Sequence, residues 1–400
     1  MKPWIALLLA GAVAGPAFAA DAAGPAEAFT NGKLSLNLRL RYEDVAQTGL
    51  QDGEALTLRA RLGFTTAPWS GWKAMLEVEG IAAADGDSYS QAGINPGGAG
   101  KAVIADPEMS EINQAWLAYT TGATTATLGR QRLVLDNARF IGDSGWRQNM
   151  QTFDAFMLSD KSLPKTTLTY AYLSQVNRVF GPDHAQGKWS SDSHLFNASY
   201  AGWTAGTLAG YAYLLDFSNS AVNSCATYGA SFAGGTPLTP DLRFTYRAEA
   251  ATQSDYRRSP LRYTARYRIL EAGLALKSAS LTLGDEVLGS DHNVGFKTPL
   301  ASFHPFNGWA DLFLTTPAAG LRDTYVRVAA DLPAKVAFLG SYHQFDTDAG
   351  GTDLGDETDL SLTRKFGPRF TALVKFADYR RTSLAYPNVQ KFWAQVEFAL

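Results

Sequence analysis

The chain has 400 residues, a formal net charge of -3 at pH 7 and a sequence pI of about 6.0. This charge lacks the basic excess expected of a nucleic-acid-binding protein. The length exceeds one ordinary soluble core, and the single cysteine, Cys225, permits neither an intrachain disulfide nor a cysteine-based zinc site.

The first 20 residues have the pattern of a secretory signal peptide. Lys2 forms a short positive n-region, residues 5–14 are apolar, and Ala17-Phe18-Ala19 is a small-x-small cleavage site. The apolar part is too short for a membrane-spanning helix. We therefore predict export, removal of residues 1–20, and a short lead-in over residues 21–32 before a single domain at residues 33–400.

Residues 33–43 alternate between apolar and polar side chains. Leu38 and Leu40 belong to an apolar set, whereas Arg39 and Arg41 belong to a charged set. Because successive side chains of a strand point to opposite faces, this segment predicts a strand with one apolar and one charged face. The apolar face requires a protein core or lipid as its partner.

The same pattern recurs along the chain, in segments of about 9 to 13 residues that suit tilted membrane strands. Further strands are predicted at about 56–64, 72–80, 111–120, 124–132, 150–159, 165–175, 191–201, 205–217, 224–234, 241–252, 261–271, 273–289, 321–332, 334–346, 354–366, 369–380 and 389–400. Short breaks alternate with long ones such as 82–107 and 177–190, which is typical of short periplasmic turns and long external loops.

These patterns predict an all-β protein, a transmembrane antiparallel up-and-down β-barrel of 16 to 18 strands, with 18 preferred. Lipid admits only helices and closed barrels, because every backbone polar group needs a partner there. The alternation continues to the last residues, where Phe398 and Leu400 lie on one face and Glu397 on the other, as expected of a closing strand. A barrel of this size encloses an aqueous channel.

Two segments carry motifs beyond the alternation. The first contains Gly129, Arg130, Gln131, Asp136, Arg139, Trp146, Arg147, Gln148, Phe153 and Asp154. The second contains Phe306, Asn307, Gly308, Trp309, Ala310 and Asp311, followed by Thr316, Pro317, Gly320 and Leu321. Together with the strand order, they resemble the alginate-export family of bacterial outer-membrane porins. The resemblance implies a monomeric 18-stranded barrel whose arginine-lined pore passes an anionic polysaccharide.

If the apolar face contacts lipid, the other face lines the pore. The predicted pore-lining residues are Arg39, Arg41, Arg59, Arg61, Arg130, Arg132, Arg139, Arg147, Arg243, Arg247, Arg262, Arg266 and Arg268. Guanidinium groups match carboxylates, sulfates and phosphates, so a column of them favours anions. The alternative is pairing across neighbouring strands with acidic residues of the same face, among them Glu43, Glu79 and Glu249.

Residues 136–148 interrupt the alternation and contain the loop-forming Asn137, Gly142 and Gly145. We expect this loop to fold inward and narrow the pore with Trp146 and its arginines; the alternative is an ordinary loop held by Arg–Asp pairs. Aromatic residues near strand ends are expected in the interfacial girdle, namely Trp69, Trp72, Tyr119, Tyr170 and Tyr172.

No catalytic motif is present: the five histidines lack a nucleophile partner motif, and HExxH, CxxC and phosphate-loop patterns do not occur. We predict no enzyme activity, no cofactor and no metal. The predicted function is passive passage of an anionic solute or polysaccharide across the outer membrane of a Gram-negative bacterium. The expected partners are outer-membrane lipid and that solute, without nucleic acid, with periplasmic secretion proteins as further candidates. A general or nutrient porin and a soluble exported glycan-binding β-protein are the alternatives.

Overall fold

The computed structural model describes residues 21–400, so the predicted signal peptide lies outside the described residues. A short helix, α1 (Pro25–Thr30), occupies the lead-in; six residues are too few to show a helical period in the sequence. The strands are β1 (Lys33–Gln47), β2 (Gly53–Thr65), β3 (Trp72–Ala83), β4 (Met109–Thr121), β5 (Thr124–Gln131), β6 (Thr152–Asp160), β7 (Thr166–Asn177), β8 (Lys188–Trp203), β9 (Gly206–Leu215), β10 (Cys225–Pro237), β11 (Arg243–Asp255), β12 (Thr264–Ala275), β13 (Ala279–Leu288), β14 (Ser290–Asp291), β15 (Val294–Gly295), β16 (Leu321–Leu332), β17 (Val336–Asp346), β18 (Asp353–Phe366), β19 (Phe370–Arg381) and β20 (Val389–Ala399).

Eighteen of these strands form one closed antiparallel barrel, and β14 and β15 form a separate two-residue hairpin. Each barrel strand pairs with its neighbours in the chain, and β1 closes the barrel on β20. In that closing pair Asn37 lies opposite Ala399 and Gln47 lies opposite Val389. The predicted antiparallel barrel of 18 strands is confirmed, and each barrel strand overlaps a predicted segment. Among residues 21–400, no helix is long and apolar enough to cross a membrane.

The two ends of the barrel differ in the length of their connections. At the end where β1 begins and β20 finishes, the turns contain two to six residues. At the opposite end the longest connections are residues 84–108, 132–151 and 289–320. Short turns at the end that carries both termini correspond to the periplasmic end of an outer-membrane barrel.

The outer face of the barrel is apolar along its middle, and the inner face is polar. On β1, Leu40 is 47% exposed on the outside, whereas Arg41 is 0% exposed on the inside. Large apolar side chains such as Leu58, Leu128 and Val374 are exposed on other strands. This distribution is the inverse of a soluble protein and matches the apolar outer band of a membrane barrel.

Strand β12 differs from its predicted orientation. Its residues Ala265, Tyr267 and Ile269 are buried, as is Tyr263 just before it, and Arg266 and Arg268 between them are exposed. The register explains the orientation, because Tyr267 lies opposite Ala251, on the inner face of β11. The prediction that Arg262, Arg266 and Arg268 line the pore is therefore wrong: Arg266 and Arg268 lie on the outer face, and Arg262 is exposed in the loop before β12. The apolar set that we assigned to lipid packs instead against the inner loops.

Three long connections, residues 84–108, 132–151 and 289–320, fold back into the barrel; we call them the first, second and third inner loops. Phe140 of the second inner loop packs against the wall, with ring centroids 5.3 Å from Tyr211 and 5.1 Å from Tyr267. It also lies 5.9 Å from Phe296 of the third inner loop. The buried apolar cluster around Phe140 fixes both loops against the β9–β12 side of the barrel.

Candidate functional site

Opposite that apolar side, strands β1 and β2 carry four arginines on their inner faces: Arg39, Arg41, Arg59 and Arg61. We call this group the inner arginine cluster. Arg39 lies directly opposite Arg59 in the strand pairing. Like charges in such a position repel unless other groups compensate for them.

Part of the compensation comes from the backbone of the second inner loop. Arg39 Nη1 donates to the carbonyl oxygens of Gly145, Trp146 and Arg147 at 3.2 to 3.3 Å. Arg41 Nη2 donates to the Trp146 carbonyl at 2.6 Å. These bonds hold residues 145–148 against the β1–β2 wall, and carbonyl groups accept them without neutralising the arginines.

The two arginines of β2 contact the next residue of the same loop. Arg61 Nη2 donates to the Gln148 carbonyl at 3.0 Å, and Arg59 Nη1 donates to it at 3.4 Å. Gln148 in turn donates from Nε2 to the Thr57 hydroxyl at 2.9 Å. The loop is therefore anchored through both its main chain and a side chain.

Acidic partners are fewer than the arginines of the cluster. Glu397 is 3.1 Å from Arg39 and 3.9 Å from Arg59, Asp106 is 3.5 Å from Arg41, and Glu79 pairs with Arg61. Three carboxylates thus face four guanidinium groups, and Asp106 is shared with the second inner loop.

Exposure divides the cluster into two pairs. The side chains of Arg41 and Arg59 are 0% and 1% exposed, whereas those of Arg39 and Arg61 are 11% and 12% exposed. Because all four point inward, the exposed part of Arg39 and Arg61 faces the lumen. All four arginines hold the loop, and Arg39 and Arg61 can in addition meet a passing solute.

Arg147 joins the first and third inner loops to β1. It lies 3.1 Å from Glu43, 3.7 Å from Asp106 and 3.0 Å from Asp311. Burial lowers the pKa of the Arg147 guanidinium, but the three carboxylates outweigh it and raise that pKa above the usual range. Its charge is therefore permanent and largely neutralised.

Trp146 lies at the centre of a buried cluster of aromatic rings and cations. Its ring stacks on His304 of the third inner loop with centroids 4.4 Å apart and an interplanar angle of 3°. Arg41 lies 4.2 Å from the Trp146 ring on one side, and Lys375 Nζ lies 4.2 Å from it. Lys375 is also 3.4 Å from the Trp309 ring. Cations against aromatic faces stabilise this contact between the two loops and β19.

The third inner loop is bound to the acidic side of the wall through the motif Asn307-Gly308-Trp309-Ala310-Asp311. Asn307 Nδ2 donates to Glu286 at 2.8 Å and to Asp323 at 3.2 Å. The backbone N–H of Ala310 donates to Glu357 at 2.6 Å. At Gly308, which has a φ of 81°, a Cβ atom would lie 2.3 Å from a Glu357 oxygen, so glycine is required there.

Asp311 completes this anchoring. Its carboxylate lies 2.8 Å from His304 Nδ1, 3.0 Å from Arg147 and 3.3 Å from Lys391. Burial raises the pKa of Asp311, but these partners hold it well below its ordinary value. The carboxylate is therefore ionised and ties the two loops to β20.

Arg139 connects the same loops on the opposite side of the lumen. Its Nε donates to Glu286 at 2.7 Å and its Nη2 donates to Asn307 at 2.9 Å. Its guanidinium carbon lies 4.8 Å from the Phe306 ring. With its side chain 3% exposed, Arg139 is a structural contact between loops and does not line the channel as we had predicted.

Arg130 is also placed differently from the prediction. It forms a bidentate pair with Asp154 of β6 at 2.7 and 3.2 Å. The pair is in register and shares the face on which Leu128 and Phe156 are exposed. The predicted pore-lining role of Arg130 is therefore wrong, because Arg130 lies on β5 with the same parity as the outward-facing Leu128.

The remaining predicted residues fall outside the contact between the loops and the β1–β2 wall. Arg132 is exposed and pairs with Asp143, and Arg247 lies on the inner face beside Glu249. The other placements are Gln131 bonded to the Ala155 carbonyl, Gly129 at a φ of 120°, Asp136 bonded to Asn197, and Arg243 bonded to the Gly235 carbonyl. These residues shape the loop ends and the wall.

Sequence reasoning missed Lys375, Asp106 and His304. Lys375 lies on the inner face of a predicted strand, so its parity was a usable signal. Asp106 and His304 lie in loops, where no period assigns a direction to a side chain. Within residues 21–400, no group of three or more His, Cys, Asp or Glu residues is placed to hold a metal ion.

Comparison with solved structures places this architecture among known barrels. The chain is similar to Acinetobacter baumannii OccAB4 (TM-score 0.72, 14% identity, 94% of this chain and 100% of that chain covered). It is likewise similar to Pseudomonas aeruginosa OccK9 (OpdG) (TM-score 0.73, 15% identity, 93% and 100% covered). A third similar structure is P. aeruginosa OpdK with vanillate (TM-score 0.70, 17% identity, 93% and 99% covered). At these identities the likeness establishes the fold.

The comparison with protein-family models is more specific than the likeness to solved structures. No curated protein sequence matches the chain. The family model described as "Alginate export" matches residues 33–261, which is more than half of the chain and includes the second inner loop with Trp146 and Arg147. This chain belongs to the alginate-export family.

Proposed function

We propose that the protein is an outer-membrane channel for passive passage of an anionic solute, with oligo- or polysaccharides that carry carboxylates as the first candidates. The outer location is supported by the closed barrel and its exposed apolar band, which need a lipid environment. A soluble exported glycan-binding protein would bury these side chains. The barrel contains its own complete ring of strands, which supports a monomer.

The observation that carries the anion preference is the inner arginine cluster. Its four guanidinium groups face three carboxylates, and Arg39 and Arg61 keep exposed surface toward the lumen. A planar guanidinium presents a fork of donors that matches a carboxylate. Two such groups on adjacent strands give a uronate chain successive weak sites, which suits passage better than one tight site would.

A channel without marked anion preference is the second candidate. It is favoured by Arg139 and Arg147, whose charges are matched by neighbouring carboxylates. In that case the arginines serve to hold loops. The two candidates differ in what Arg39 and Arg61 do to the current, and neither involves catalysis or a cofactor.

The test is the reversal potential of the purified protein in planar lipid bilayers under a salt gradient. We expect the wild type to prefer anions, and Arg39→Gln with Arg61→Gln to lower that preference several-fold. Two unit charges 4 Å apart interact by about 4 kcal/mol at an effective dielectric near 20 and by about 1 kcal/mol in water. The difference between variant and wild type should shrink at high salt, because screening shortens the range of the charges.

Arg380→Gln is the matched control, since Arg380 is an exposed arginine that pairs with Asp378 on its own strand, β19. It should leave the reversal potential unchanged. Oligo-uronates should block the wild-type current more strongly than neutral oligosaccharides of the same length. An intact channel whose reversal potential is the same with and without Arg39 and Arg61 would decide for the channel without anion preference.

A further inference from the structure

Four arginines lie together near the end of the barrel with long connections, three of them on the outer face of strands. They are Arg262 just before β12, Arg266 and Arg268 on β12, and Arg322 on β16; we call them the outer arginine patch. All four are exposed, and the Arg262 side chain is 79% exposed. Strand β13 lies between β12 and β16, so the patch spans three neighbouring strands. Arg266, Arg268 and Arg322 point away from the lumen, and none of the four arginines has a part in the channel proposed above.

The height of the patch follows from the strands that carry it. The exposed Leu276 and Leu332 lie at the short-turn ends of β12 and β16. Ten residues separate them from Arg266 and Arg322, respectively. At 3.4 Å per residue and a tilt near 40°, ten residues span about 26 Å, close to the height of the apolar band of a membrane barrel. The patch therefore lies at the outer membrane–water boundary, where lipid headgroups carry their charges.

The carboxylates near the patch pair with three of its four arginines, and Asp348 also lies near Arg322. Asp285 is 2.7 Å from Arg322 and 3.6 Å from Arg268, and Asp255 is 2.8 Å from Arg262. Asp346 lies opposite Arg322 at the edge of the patch. Within the part of the chain that the structure describes, the Arg266 side chain has no hydrogen bond and no ion pair.

The side chains of the patch are positioned by the sheet. Arg268 and Arg322 both lie opposite Val287, which is on the same outer face and yet only 3% exposed. Their aliphatic stems thus flank Val287 and leave the guanidinium groups at the boundary. At the corresponding end of β1 and β2, the outer face instead carries Asp44 opposite Glu54. The two sectors of the rim therefore differ in charge.

We propose that the outer arginine patch binds the phosphate groups of lipopolysaccharide in the outer leaflet. The inference rests on the outer-membrane location proposed above. Guanidinium groups at a membrane boundary gain from phosphate through charge-assisted hydrogen bonds, and the amphipathic stem lets the head reach the headgroup region. Arg266, which lacks an internal partner, offers its whole donor fork to a phosphate, and Arg268 and Arg322 hold the same phosphate layer from adjacent strands.

The test uses the full-length protein in detergent and bisphosphorylated lipid A as the probe, with binding followed by native mass spectrometry. We expect dephosphorylated lipid A to bind at least five-fold more weakly. Arg266→Gln with Arg268→Gln should weaken binding of the phosphorylated lipid by a similar factor. Arg257→Gln with Arg258→Gln is the matched control, because these exposed arginines lie in the neighbouring loop and pair with Asp192 and Asp216; it should bind as the wild type does.

A charge-conserving variant and a current measurement separate failure of this proposal from failure of the proposed function. Arg266→Lys with Arg268→Lys retains the charge without the fork and should show intermediate binding even where the Gln variant folds poorly. Equal binding of phosphorylated and dephosphorylated lipid A, or wild-type binding by the Gln variant, would overturn the proposal. Bilayer currents of the same Gln variant should match those of the wild type. A protein that conducts but ignores lipid phosphate refutes the patch alone, whereas a protein that never inserts refutes the proposed function.

Discussion

At the scale of single residues, His304 shows how the buried charges between the second and third inner loops are balanced. The ring donates through Nδ1 to Asp311 at 2.8 Å and accepts through Nε2 from Lys375 at 2.5 Å. This arrangement satisfies a neutral imidazole with its proton on Nδ1. A second proton would have to sit on Nε2, against the Lys375 ammonium group. Burial lowers the pKa of His304 well below 6.5, with Lys375 and Arg147 lowering it further and Asp311 opposing them.

The pKa of His304 predicts a pH dependence of stability. Because the pKa of His304 is lower in the folded state than in the unfolded chain, the contribution of the neutral ring to the free energy of unfolding is fully present above about pH 6.5. That contribution is lost as the pH falls toward the folded-state pKa. We expect His304→Gln to flatten the decline in thermal unfolding temperature between pH 7.5 and pH 5 in detergent. His292→Gln, at an exposed loop position, should decline as the wild type does. Equal slopes for all three proteins would show that folding does not shift the pKa of His304.

At the scale of the strand, β1 and β12 show when the alternation of apolar and polar residues predicts which face of a strand meets lipid. On β1 the apolar set faces outward because its neighbours on both sides carry polar inner faces. On β12 the outward set changes along the strand from Arg266 and Arg268 to Leu270 and Leu274, while Tyr267 meets the inner loops. A local pattern cannot distinguish lipid from a loop as the partner of a tyrosine. The register with β11, set over the whole strand, makes that distinction.

The faces of β1 predict opposite effects for two adjacent substitutions. Leu40→Arg places a cation on the apolar band, which costs about 2–4 kcal/mol near mid-membrane depth, and should lower the yield of folded barrel in membranes. Arg39→Leu should leave that yield unchanged and alter the current, since Arg39 faces the lumen. The amount of folded protein in isolated membranes measures both effects. Equal yields for the two variants would contradict the face assignment.

The contrast between strands and loops explains which residues of the site could be predicted from the sequence. The strand positions of Arg39, Arg41, Arg59 and Arg61 follow from period-two alternation, and the second inner loop is marked by its break in that period. Their partners could not be inferred, because Asp106 comes from a loop whose composition predicts only exposure. The compensation of charge across the lumen depends on three-dimensional packing of distant segments, which no local pattern encodes.

At the scale of the whole molecule, eighteen strands close on themselves and leave no free sheet edge among the described residues. Because the barrel is closed, the backbone hydrogen bonds of every strand are made with its two neighbours. The wall therefore resists unfolding as one unit. We expect the protein to fractionate with outer membranes and to migrate faster on a denaturing gel before boiling than after, because the unboiled barrel stays compact. Recovery in the soluble periplasmic fraction, or identical migration under both conditions, would contradict the membrane barrel.

The contacts of Arg147 also constrain the order in which the molecule assembles. The residue belongs to the connection between β5 and β6, but Glu43 lies on β1 and Asp311 lies between β15 and β16. Bringing them together requires a long intervening chain to be ordered first, and the entropy of such closure must be met before the contact can form. Glu397 and Gln395 of β20 meet the inner arginine cluster only after the two ends of the sheet have joined. We therefore expect the wall to close before the inner loops dock, and the barrel to be widest until they do.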